Sequence, residues 1–122
     1  MTVKRLRQVY VVAEDVDAAA AFYADALGLE LQFRDRDRWV QFGAGDVSVA
    51  IASSEESGGA KPGTAVPVFE VDDLDASIAA ATGAGAVLAA RRDMGDHGSM
   101  ATLVELSGAV IALFTRPAPA DA

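Results

Sequence analysis

The alternation of apolar and polar positions occurs twice along the chain. In each half an alternating apolar stretch, typical of a half-buried strand, leads into acidic residues and then into an alanine-rich segment. Residues 12–18 align in this way with residues 70–76. A repeat of this kind predicts two copies of one structural unit.

Each copy carries the signals of a helix start and a helix stop. Asp15 and Asp73 precede the alanine-rich segments, and a short carboxylate there accepts hydrogen bonds from the free amides of a first helical turn. Glycines follow where the pattern ends. We therefore predict one helix over about residues 16–27, stopping at Gly28, and another over about residues 74–82, stopping within residues 83–85.

Short stretches rich in β-branched and aromatic residues follow each helix and predict strands. These strands are residues 29–33, 39–42 and 47–52 in the first half and residues 86–90, 100–105 and 110–115 in the second. Each half is therefore a βαβββ module. We predict an α+β fold, with two tandem modules forming an eight-stranded, mostly antiparallel cupped sheet.

The modules belong to one predicted domain covering residues 1–122. Its parts are an N-terminal module at residues 3–53, a polar glycine-rich linker at 54–63, a C-terminal module at 64–116 and a frayed tail at 117–122.

Composition narrows the classes of function. Of the 122 residues 52% are apolar, but no run is long enough to span a bilayer, and no signal-peptide core follows the basic N-terminus, so we expect a soluble, cytoplasmic protein without a membrane partner. The absence of cysteine excludes disulfides and thiolate sites. A net charge of −8 argues against nucleic-acid binding.

Three motifs follow one another in the first half, namely Asp15-Val16-Asp17, then Phe22-Tyr23, then Leu27-Gly28-Leu29, and residues 69–75 begin the second half in a similar way. This combination resembles the vicinal-oxygen-chelate superfamily of glyoxalases, bleomycin-resistance proteins and extradiol dioxygenases. The resemblance covers nearly the whole chain. It implies the paired-module fold, whereas the activity stays open because the superfamily contains isomerases, dioxygenases, epimerases, thiol transferases and metal-free drug-binding proteins.

The resemblance also implies where a metal would be held. Metal-dependent members take one ligand from the first strand and one from the last strand of each module, which corresponds here to Gln8, Val49, Val66 and Ala112. Three apolar side chains and one neutral amide are poor donors for a divalent ion, and a shift by one residue offers only Tyr10, Ser48 and Glu70. We expect no metal and no other cofactor.

If these positions face the cup, strand alternation gives it a largely apolar lining. The predicted ligand-binding residues are Gln8, Tyr10, Trp39, Gln41, Val49, Ile51, Val66, Val68, Met100, Ala112 and Phe114. Trp39 would stack on a planar ligand and Gln41 would orient it by a hydrogen bond. The alternative is that these side chains only pack, with Trp39 at a subunit interface.

Two residues are candidates for acid–base catalysis. His97, the only histidine, lies in a glycine-flanked loop beside Asp96, and Glu70 lies on a strand predicted to face the cup. The alternative for both is solvent exposure. A buried Glu70 would need a partner such as Arg92, Gln8 or Tyr10, or its pKa would be raised.

The leading hypothesis is metal-independent binding of a small apolar or aromatic molecule by a homodimer, similar to bleomycin-resistance proteins that confer antibiotic resistance by sequestering the drug. On this hypothesis the protein is not an enzyme. The alternatives are a glyoxalase-like lyase or isomerase or a dioxygenase of the same fold, metal-free acid–base chemistry by His97 and Glu70, and a structural dimer without a ligand.

Overall fold

The computed structural model describes residues 3–117, which form two compact units. Residues 7–67 form one unit, called the first module below. Residues 3–6 and 68–117 form the other, called the second module. Residues 118–122 of the predicted frayed tail lie outside the described range.

The elements of the first module follow the predicted order. Strand β1 (Val3–Val12) leads into helix α1 (Val16–Ala21), which continues as a π-helical turn (Phe22–Ala26), and then into β2 (Glu30–Asp35), β3 (Trp39–Ala44) and β4 (Val47–Ala52). The strand order is β2-β3-β4-β1. Only the β1–β4 pair of this sheet is parallel.

The second module repeats this arrangement. Its elements are β5 (Ala65–Val71), helix α2 (Leu74–Gly83), β6 (Val87–Asp93), β7 (Ser99–Val104) and β8 (Val110–Thr115). The order is β5-β8-β7-β6, again with one parallel pair, β5–β8. The predicted α+β class, the two βαβββ units and the mostly antiparallel pairing are confirmed.

The predicted caps explain where the helices begin. Asp15 Oδ1 accepts a hydrogen bond from the Ala18 amide at 3.0 Å, and Asp73 Oδ1 accepts one from the Ala76 amide at 3.0 Å. After α1 the chain turns at Gly28, whose φ of 68° lies in the left-handed region that glycine adopts without strain.

Each helix covers one face of its own sheet. Val16 and Ala20 of α1 pack on Val40, Phe42 and Ile51. In the second module the corresponding cluster comprises Val71, Leu74, Ala101, Leu103 and Leu113. The opposite face of each sheet is called its open face. No helix among residues 3–117 is long and apolar enough to span a membrane.

Candidate functional site

The register of β1 and β4 decides which side chains of the first module lie on its open face. Gln8 pairs with Ser48, and Tyr10 pairs with Ala50, so these four share a face. Val11 pairs with Ile51, and both pack with α1. Our prediction that Val49 and Ile51 line the ligand site is therefore wrong, because both lie on the helix-covered face.

The error comes from treating the two β-hairpin turns as equivalent. We located the last-strand positions by counting four residues from a turn glycine in both modules, and in both the strand begins two residues after that glycine. The first residue of β4, Val47, pairs with Ala44 on the helix-covered face, whereas the first residue of β8, Val110, pairs with Val104 on the open face. A one-residue slip moves every side chain of a strand to the other face. Ser48, and not Val49, therefore stands beside Gln8.

A network of neutral polar side chains occupies the open face of the first module. Gln8 Nε2 donates to Ser48 Oγ at 3.0 Å and to Gln41 Oε1 at 3.3 Å. Gln41 Oε1 also accepts from Trp39 Nε1 at 3.2 Å, and Gln41 Nε2 donates to Gln32 Oε1 at 3.1 Å. We call Gln8, Trp39, Gln41 and Ser48 the amide patch. The prediction that Trp39 and Gln41 share a face is confirmed.

Tyr10 lies beneath the amide patch. Its ring lies 5.6 Å from that of Trp39, centroid to centroid, and its hydroxyl donates to the Ser57 carbonyl at 2.8 Å. The side chain is fully buried, and burial raises the pKa of its phenol to about 12. Tyr10 therefore supports Trp39 and fastens the segment after β4, but its surface is not available to a ligand in this conformation.

The open face of the second module carries one buried carboxylate among mostly apolar side chains, together with Thr102 and Arg92, which pair with Ala112 and Met100. The pairs Val68–Ala112, Glu70–Phe114 and Met100–Phe114 place these five side chains on one face, as the alternation predicted. Val68 and Ala112 are completely buried and Phe114 nearly so, and Val66, which belongs to residues 7–67, is also completely buried. Their role as ligand contacts stays a prediction, since in this conformation only Met100 among them is partly exposed.

Glu70 is 2% exposed and is held by two arginines. Arg5 Nε and Nη2 lie 3.2 and 3.1 Å from its Oε1, and Arg116 Nε lies 2.9 Å from its Oε2. Burial by itself raises the pKa of this carboxyl, but the hydrogen bonds and charges of Arg116 and Arg5 outweigh it and hold the pKa below its usual value. The alternative that Glu70 is exposed to solvent is therefore wrong. An ionised, ion-paired carboxylate is a weak general base.

His97 does not join this cluster. It lies in a single turn of 3₁₀-helix, Gly95–His97, between β6 and β7, and its side chain is exposed. Its backbone amide bonds the Met94 carbonyl at 3.1 Å, while no bond involving its ring is found within residues 3–117. Asp96, its neighbour in the loop, is also not found to bond the ring within residues 3–117.

Sequence reasoning missed four residues that the fold brings into these clusters. Gln32 and Ser48 complete the amide network, and Arg5 and Arg116 bind Glu70. Ser48 was considered only as an alternative metal ligand. Nothing in the local sequence around Arg5 or Arg116 signals their partner, because Glu70 lies 65 and 46 residues away along the chain.

A family model described as a glyoxalase-like domain matches residues 8–114. The chain belongs to this glyoxalase-like family, and so to the vicinal-oxygen-chelate superfamily. Methylmalonyl-CoA epimerase from Streptomyces coelicolor is 18% identical, has a TM-score of 0.74, and is matched over 99% of this chain and 100% of that one. Methylmalonyl-CoA epimerase from Mycobacterium tuberculosis is 21% identical, has a TM-score of 0.72, and is matched over 96% of this chain and 90% of that one.

An extradiol ring-cleaving dioxygenase from B. fuscum is also similar, with 15% identity and a TM-score of 0.69, over 98% of this chain but 34% of the dioxygenase. Identities this low establish the fold and leave the reaction open. No curated protein matches the chain.

Within residues 3–117, the positions that the resemblance implies for metal ligands do not carry the donors that a divalent ion prefers. At and beside the ligand positions that the resemblance implies, the open faces carry Gln8, Ser48, Val66 and Ala112, which supply one amide, one hydroxyl and two aliphatic side chains. Among residues 3–117 no group of three or more His, Asp or Glu side chains is arranged to hold a metal ion. A depression of about 520 Å³ is lined by several carboxylates, namely Glu14, Asp15, Asp17, Asp37 and Glu55, but they too are not arranged to hold a metal ion.

Proposed function

We propose that this glyoxalase-like protein binds a small, uncharged aromatic molecule at the amide patch without a metal ion. The observation that carries the proposal is the neutral hydrogen-bond network around Gln41, which lies beside the partly exposed Trp39. Small-molecule sites commonly combine apolar and aromatic surface with a few fixed polar groups. The amide patch has this composition and contains no ionisable side chain.

The unused hydrogen-bonding groups of the patch define the ligand further. Within residues 3–117, Gln8 Oε1 has no protein donor and the Ser48 hydroxyl hydrogen has no protein acceptor. One acceptor and one donor close together suit a carboxamide or a similar group on a planar ring. Stacking on Trp39 would hold the ring itself.

Binding is favoured over acid–base catalysis by the state of the two candidate catalytic residues. Glu70 is ion-paired, with a pKa that Arg116 and Arg5 hold below the usual value despite burial, and the His97 side chain is exposed. Neither has the environment of a tuned base. The similar structures named above are enzymes and not drug-sequestering proteins, so the roles in drug sequestration and antibiotic resistance stay predictions, as does the homodimer.

The test uses the only tryptophan of the chain as reporter. Protein treated with a chelator is titrated with benzamide and, separately, with benzoate, and Trp39 emission is followed. We expect saturable quenching by benzamide, at least about tenfold weaker binding of the charged benzoate, and a similar loss for benzamide in Gln41→Leu and Ser48→Ala, since a lost buried hydrogen bond weakens binding by about that factor.

Ser107→Ala, in the exposed β7–β8 loop, is the matched control and should bind as the wild type does. Equal binding of benzamide by all variants would contradict the proposal. Stoichiometric metal in protein purified without chelator, together with stabilisation by added metal, would instead favour a glyoxalase-like or dioxygenase activity.

A further inference from the structure

The Arg5–Glu70–Arg116 cluster is a second group of functional side chains, independent of the amide patch. All three residues belong to the second module. The carboxylate is buried, while the arginine side chains that hold it are 52% and 58% exposed. A buried carboxylate is thus ion-paired with two solvent-accessible guanidinium groups.

The cations exceed what a single carboxylate neutralises. Two guanidinium charges against one carboxylate charge leave these three side chains with a net charge of +1. The cluster is therefore a local positive site on a chain whose formal net charge is −8. The long-range field of a chain with this net charge repels an anion. An anion would therefore be held at this site by short-range contacts.

Both arginines also keep hydrogen-bond donors in reserve. A guanidinium has five N–H donors in a planar fork. Arg116 uses its Nε on Glu70, and Arg5 uses its Nε and Nη2. Within residues 3–117 no further bond is found for either side chain, so both Nη groups of Arg116 and Nη1 of Arg5 are available to another acceptor.

Glu70 orients the two forks before a ligand arrives. It holds Arg116 through Nε, and within residues 3–117 no bond is found for the two terminal nitrogens of that side chain. Positioning by a buried group reduces the side-chain entropy that binding would otherwise cost. Planar guanidinium groups recognise carboxylate and phosphate oxygens in a bidentate way, which a lysine does not.

We propose that Arg5 and Arg116, positioned by Glu70, bind a small oxyanion, either a carboxylate or a phosphate monoester group. The cluster is a binding site and not a catalytic one. It would accept the charged end of a ligand, or a free anion, whether or not the amide patch binds an aromatic molecule.

The experiment titrates the full chain with inorganic phosphate and, separately, with acetate, at constant ionic strength set with sodium chloride. The readouts are affinity by calorimetry and the NMR signals of the arginine Nε–H groups. We expect saturable shifts of the Arg5 and Arg116 signals, and at least about tenfold weaker binding in Arg116→Ala and Arg5→Ala, because each variant removes a charge-assisted pair of hydrogen bonds.

Arg91→Ala is the matched control, since Arg91 is a partly exposed arginine of the same module that pairs with Asp75. It should bind both anions as the wild type does. Phosphate bound tenfold more tightly than acetate would identify the anion as a phosphate monoester, and the reverse as a carboxylate.

Equal loss in Arg91→Ala, or arginine signals that do not saturate in the wild type, would overturn the proposal. The second result is decisive even if an arginine variant fails to fold. A failure of benzamide binding at the amide patch leaves these readouts unaffected, so the two proposals fail separately.

Discussion

The two modules have the same arrangement of strands and a different chemistry on their open faces. In the first module the buried polar group of that face is the neutral amide of Gln8, bonded to Gln41 and Ser48. In the second, the buried polar groups are the hydroxyl of Thr102 and the carboxylate of Glu70, which is bonded to Arg5 and Arg116. The scaffold tolerates either solution because a buried polar group needs partners and not a particular charge.

The repeated features are those that build the module. Asp15 and Asp73 cap the helices, and an arginine on the strand after each helix pairs with an aspartate of the first helical turn, Arg34 with Asp17 and Arg91 with Asp75. Capping is worth about 1 kcal/mol, whereas exposed ion pairs contribute less. The differences lie on the open faces and in the hairpin loops. Scaffold and chemistry are therefore separable in this chain.

Removing both arginines should have the largest effect, and only on the second module. Arg5→Ala with Arg116→Ala takes away the two cations that offset the burial of the Glu70 carboxylate, so we expect a loss of about 2–4 kcal/mol in the free energy of unfolding. Urea denaturation measures it. In a Glu70→Gln background the same double change should cost much less, and an equal cost there would contradict the assigned role of the charge.

Lowering the pH should destabilise the second module before the first. The carboxyls whose pKa is held low, namely Glu70, Asp93 and Glu105, all lie in residues 68–117. A carboxyl whose pKa is lower in the folded state than in the unfolded state stabilises the fold at any pH above its unfolded-state pKa. That contribution is lost as the pH falls through the folded-state pKa.

For Glu70 this loss begins near the ordinary carboxyl value of 4.5 and extends below it, as protonation weakens the pairs with Arg5 and Arg116. Melting curves between pH 7 and pH 3 should show falling stability, flatter in Glu70→Gln. Amide exchange that accelerates first in the first module would count against this assignment.

Tyr10→Phe should have the smallest of these effects and is confined to the first module. It removes the 2.8 Å hydrogen bond from the buried hydroxyl to the Ser57 carbonyl, so we expect a loss of about 1–2 kcal/mol by urea denaturation. The segment after β4 should also become more sensitive to protease. Tyr23→Phe, for which no hydroxyl bond is found within residues 3–117, is the matched control and should change little.

Part of the candidate site was predictable because it lies within one strand. Trp39 and Gln41 are two residues apart on β3, and alternation alone places them on one face. Ser48 was not predictable as their neighbour, because β4 begins on the helix-covered face and β8 on the open face, although each begins two residues after its turn glycine. The contacts of Glu70 depend in the same way on which strands and termini meet.

The sequence by itself determined the duplication, the two capped helices, the eight strands and the fold class. These properties are local, since a cap and a strand period act over a few residues. Tertiary structure alone decided which face Ser48 and Ile51 occupy and that Glu70 meets Arg5 and Arg116. The physical reason is that strand register and side-chain partners depend on loop lengths and on distant segments, and a shift of one residue reverses the face of a whole strand.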